Sequence, residues 1–138
     1  MLTYVPFFLF SLITLFHIYM GVGGKLNYDY VLPKLKNGRP LPFHSLMALP
    51  VAFLLALSTS AFGFEVGILN QSYLGSFSRS WLILTATALV FRGCFGLLLF
   101  HVLNKLIDEG LFKTWDLRIY SPLTLFLGIA SFKVLGFI

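Results

Sequence analysis

Charge is scarce in this chain: 5 acidic and 10 basic side chains in 138 residues amount to 11%, against about a quarter in an average soluble domain. So few charges cannot cover a water-soluble surface. Cys94 is the single cysteine, so the chain offers no internal disulfide. Thiol clusters and metal-ligand spacings are missing as well, as is a glycine-rich loop to cradle phosphate. Accordingly, no metal and no cofactor is expected, and nothing defines an enzymatic reaction. What is plentiful is apolar: 58% of residues are hydrophobic and 16 are Phe. Disorder is excluded on that ground.

The gaps between charges are long. Residues 1 to 24 carry none, nor do residues 40 to 64. Between Arg79 and Lys105 the only charge is Arg92, and from Ile119 to Ile138 it is Lys133. A helix needs about 20 apolar residues to cross the hydrocarbon core. The expected fold is therefore all-α, an integral membrane bundle of four transmembrane helices at about 2–24, 44–64, 79–104 and 118–137, forming one domain over 1–138. Nothing basic precedes Lys25, so the first segment reads as a span rather than a cleaved signal. A soluble four-helix bundle would need polar outer faces, which these segments lack.

Seven of the ten basic residues, namely Lys25, Lys34, Lys36, Arg39, Lys105, Lys113 and Arg118, fall on one side of such a bundle. The positive-inside rule makes that side cytoplasmic and puts both termini outside. Lys25, Lys34, Lys36 and Arg39 either contact anionic lipid headgroups or serve only to set topology. The +5 net charge comes from these loops, so nucleic acid is not the expected partner.

Each span carries a stripe of small or hydroxyl residues at steps of three and four. These are Phe10, Thr14, His17, Gly21 and Gly24; Ser45, Ala48, Ala52, Ala56, Thr59 and Gly63; Thr85, Ala88, Arg92 and Gly96; and Ser121, Thr124, Gly128 and Ser131. In lipid, helices associate through close backbone approach and interhelical hydrogen bonds, so the stripes should face inward. Pro50 is expected to bend the second helix. Cys94 reads as a small packing residue.

His17 and Arg92 then stand on interior stripes at similar depth. An arginine at the middle of a bilayer costs roughly 2.5 to 3.5 kcal/mol even on the gentlest scale. The five acids, Asp29, Glu65, Asp108, Glu109 and Asp116, all fall outside the expected spans. Only neutral partners remain, among them Thr85, Thr124, Tyr120, Ser58, Thr59 and His17. Two readings stand. Arg92 binds an anionic lipid or a polar, quinone-like headgroup with His17 as second donor, or it is structural and hydrogen-bonds helices together. Paired histidines do not suit a heme, since His17 and His101 lie on unrelated faces. The lack of a carboxylate within the spans argues against proton-coupled cation export.

His17, Tyr19, Gly23 and Gly24, then Arg92 with Gly96, then Asp116, Tyr120, Ser121, Pro122 and Leu123 resemble the pattern of the small four-helix bacterial membrane proteins of the domain-of-unknown-function family numbered 3995. That resemblance implies a multi-pass protein of the bacterial inner membrane with no established activity, and points to His17, Arg92 and Tyr120 for testing. The functional expectation is a membrane protein binding a lipid-soluble ligand at a His/Arg site. An accessory subunit of a membrane complex and a small dimeric transporter are the alternatives, and an enzyme ranks last.

Overall fold

The computed structural model describes residues 4–24, 47–70, 75–102 and 111–138. The described residues are all-helical. Helix α1 is Tyr4–Gly21, α2 is Ala48–Glu65 and α3 is Gly75–Val102. Helix α4 is the continuous run Leu111–Val134, in which a π turn at Asp116–Tyr120 separates two α segments. By length and composition α1, α2 and α4 can each cross a membrane. The third helix, with 28 residues, is the longest. Lys25, Lys34, Lys36 and Arg39 lie outside the described residues, as do Ser45 and His44.

The helices run up and down. Leu49 near the start of α2 meets Gly21 at the end of α1, and Phe7 near the start of α1 meets Gly63 near the end of α2. Val90 and Gly93 of α3 likewise face Gly128 and Leu125 of α4. Two antiparallel hairpins result, joined chiefly where α2 meets α3. Gly23 and Gly67, at φ of 89° and 76°, follow α1 and α2 in the left-handed conformation that commonly closes a helix.

Pro50 does not bend α2. It falls in the first turn, where a backbone N–H has no intrahelical acceptor to lose. Pro122 is the proline that matters: its ring has no N–H and crowds the carbonyl four residues back. The π turn immediately before it is the local adjustment that reroutes those bonds, and the Ser121 N–H goes to the Asp116 carbonyl.

Three of the four stripes face inward as expected. Phe10, Thr14 and Gly21 are buried on α1, Ala48, Ala52 and Gly63 on α2, and Ser121, Gly128 and Ser131 on α4. Their hydroxyls bond across helices or back to the preceding turn. Thr14 and Thr59 are 3.2 Å apart between α1 and α2. Ser58 lies 2.9 Å from Thr85 and accepts from the Trp81 indole at 3.1 Å, tying α2 to α3. Above this level, toward the start of α1, Phe10, Phe62, Leu82, Leu127 and Leu135 form a core drawn from all four helices.

The third stripe is the exception. Thr85 is covered by α2, but Ala88 and Arg92 are exposed, while Gly96 is buried. On α2 the matching positions below Ser58, namely Leu54 and Val51, are exposed too. Below the Ser58–Thr85 bond the corresponding stretches of α2 and α3 are thus both exposed, with Arg92 on the α3 stretch. Cys94 is also exposed rather than packed inside the bundle.

Candidate functional site

Arg92 is not an unpaired charge. Its terminal nitrogens meet the Asp116 carboxylate end-on, Nη2 to Oδ1 and Nη1 to Oδ2 at 3.5 Å. Nη1 also reaches Ser121 Oγ at 3.5 Å, and Ser121 donates to Asp116 Oδ2 at 3.0 Å. Asp116 is fully buried, whereas the Arg92 side chain is 46% exposed. This corrects the expectation that only neutral groups surround Arg92. It also supplies a carboxylate inside an apolar helix, so its absence no longer weighs against proton-coupled transport.

The π turn builds this arrangement. Five residues along a regular α-helix are rotated by roughly 140°, so Asp116 and Ser121 would face apart. The wider turn brings residue i+5 back over residue i, and both side chains then converge on Arg92. Gly96 completes the fit. A Cβ there would collide with Arg92 Nη1 and Ser121 Oγ, and would stand 3.1 Å from Asp116 Oδ2. Glycine thus lets α3 approach α4 closely enough for the three polar groups to meet.

Of the other expected site residues, Tyr120 and Thr124 flank Ser121 on α4, whereas Thr85 and His17 are engaged away from Arg92. Helix α1 packs on α2, and α3 on α4. No hydrogen bond or ring contact joins His17 to Arg92 among the described residues. His17 turns back on its own helix, with Nδ1 2.8 Å from the Ile13 carbonyl. A carbonyl only accepts, so Nδ1 carries a proton and is engaged within α1. Thr85 is engaged by Ser58, and Thr124 donates to the Ser121 carbonyl at 3.0 Å. Tyr120 ends the π turn with its ring 6.4 Å from that of Phe112.

Asp116 and Ser121 are the residues missed as site members. An expected span beginning at residue 118 leaves Asp116 in a connection, whereas the helix begins seven residues earlier, at Leu111. Pro122 was the available signal, since a proline inside an apolar segment demands a local break in the helix ladder.

What the site can do follows from its donors. A guanidinium has five N–H groups in a planar fork. Asp116 and Ser121 engage three of them. Nε–H and the second Nη2–H remain, parallel along the other edge, with no acceptor among the described residues.

No curated protein and no solved structure matches the chain. The family description "Protein of unknown function (DUF3995)" matches residues 8–131, a stretch that contains His17, Arg92, Gly96, Asp116 and Ser121. The chain belongs to that family.

Proposed function

We propose that this protein crosses a bacterial inner membrane four times with both termini outside, and that it binds an anionic or polar-headed lipid-soluble ligand at Arg92. The observation that carries the reading is the half-exposed guanidinium on the uncovered stretch of α3, braced on one edge by Asp116 and open on the other. In hydrocarbon, an N–H without an acceptor costs several kcal/mol, roughly. A ligand oxygen at the open edge removes that cost. His17 is hydrogen-bonded within its own helix and is not part of this site.

Native mass spectrometry of detergent-purified protein tests the reading. The wild type should retain a co-purifying lipid-soluble molecule that Arg92→Ala loses. Equal occupancy in both would remove Arg92 as the ligand site. For topology, a reporter fused after Ile138 should read outside; a cytoplasmic signal overturns the orientation.

The alternative is an accessory subunit or homodimer in which a partner helix covers Ala88 and Arg92. The uncovered stretch of the α3 stripe is what favours it, since small residues at a surface allow close helix approach. Gentle pull-down would then recover a stoichiometric partner whose release leaves lipid occupancy unchanged.

A further inference from the structure

The end-on ion pair determines which edge of Arg92 is left, and therefore what fits it. Asp116 takes Nη1 and Nη2, so the remaining donors are Nε–H and one Nη2–H. These two point the same way, as a second fork of the kind that receives two oxygens of one acidic group. A ketone, hydroxyl or quinone oxygen has to be shared between the two donors, with neither bond linear, whereas two oxygens of one acid meet both in line.

We infer that the ligand is an amphiphile whose headgroup is a carboxylate or phosphodiester, held side-on by Arg92 while Asp116 and Ser121 brace the guanidinium from the opposite edge. This rests on the reading of Arg92 as a ligand site. Asp116 is then a positioning residue. It keeps the charge compensated when the site is empty and fixes the plane of the fork. Ser121 and the space at Gly96 fix the carboxylate in turn.

The surroundings suit an acyl chain. Leu84, Ala88, Phe91 and Phe95 are exposed at steps of 4, 3 and 4 along α3, and so form one continuous face. Phe91 and Phe95 stack at 5.0 Å between centroids, giving a firm apolar wall. Ala88, one turn from Arg92, is the small residue that leaves room beside the fork. Arg92 is ten residues from Val102, about 15 Å along the helix.

The test compares headgroups on the full-length protein in detergent. Phosphatidylglycerol, oleate, monoolein and inorganic phosphate are added at equal concentration to the wild type, Arg92→Lys and Arg92→Ala, and bound fractions are read by native mass spectrometry. Lysine keeps a cation for Asp116 but has no planar fork. Wild type should prefer phosphatidylglycerol and oleate over monoolein by roughly ten-fold or more, the value of one added charge-assisted hydrogen bond. Arg92→Lys should bind phosphatidylglycerol and oleate roughly ten-fold more weakly than the wild type, since its point charge still attracts anions but offers no planar fork. If monoolein binds the wild type equally well, or if Arg92→Lys binds the two anions as tightly as the wild type, the two-oxygen headgroup is wrong, although loss of all three in Arg92→Ala would still leave Arg92 as a ligand site. Unchanged binding in Arg92→Ala removes the site itself. Displacement of phosphatidylglycerol by inorganic phosphate would show that a free anion suffices and would overturn the amphiphile.

Discussion

At the end of the bundle where α1 begins, Phe10, Phe62, Leu82 and Leu127 are at most 1% exposed and come from all four helices. At the level of Arg92, α3 closes on α4 through Gly93, Gly96, Ser121 and Asp116 and α1 closes on α2 through Gly21 and Leu49, while Val51 and Leu54 of α2 are left uncovered. The first region is held by contact area and a few hydroxyl bonds. Dispersion across dense packing is what apolar side chains can offer in lipid, where leaving water no longer drives association. The second region is held by one buried carboxylate and the charge it compensates. A packed core needs nothing further, whereas an ion pair with an open edge does, and that asymmetry locates the candidate site.

The comparison can be broken by removing the element that defines each half. Asp116→Ala should have the largest effect. It leaves Arg92 without its counter-charge, at a cost of about 3 kcal/mol. Unfolding in mixed micelles should report that loss, and hydrogen exchange should rise across Leu111–Tyr120 and the facing part of α3 while α1 stays protected. Leu82→Ala should cost about 2 kcal/mol through the void it leaves. Here exchange should rise in all four helices, because that core joins them; a rise confined to α3 and α4 would erase the distinction between the halves.

Gly96→Ala probes the junction from the α3 side. Its added methyl meets Arg92, Ser121 and Asp116, so a loss of about 1 to 2 kcal/mol is expected. The loss should shrink in an Arg92→Ala background, measured by the same unfolding assay. Ser58→Ala should have the smallest effect, about 0.6 kcal/mol, typical of a hydrogen bond between membrane helices. Its signature is specific, because the Trp81 indole loses its acceptor and the Trp81 fluorescence should shift.

Much of this architecture was legible from spacing. The charge-free runs located the helices, and three inward stripes followed from steps of three and four, because small residues are needed wherever backbones approach in lipid. The third stripe was legible only down to Thr85. Whether a neighbouring helix continues to cover Ala88 and Arg92 depends on where α2 diverges, which no local pattern in either segment encodes. The Arg92–Asp116 pair was hidden for a different reason. Charge counting placed Asp116 in a connection, and α-helical periodicity turns Ser121 away from it. Both obstacles vanish once Pro122 imposes a π turn. The equal depth of His17 and Arg92 was a poor guide to proximity, since depth says nothing about which helices are neighbours.

A double-mutant cycle on Arg92→Ala, Asp116→Ala and the combination, read as unfolding free energy in the same detergent, tests the central claim most directly. The account predicts a coupling energy above about 1 kcal/mol between the two positions, with the double variant more stable than Asp116→Ala alone because it leaves no stranded cation. Additive losses would contradict it, and would mean that Arg92 and Asp116 do not hold α3 and α4 together.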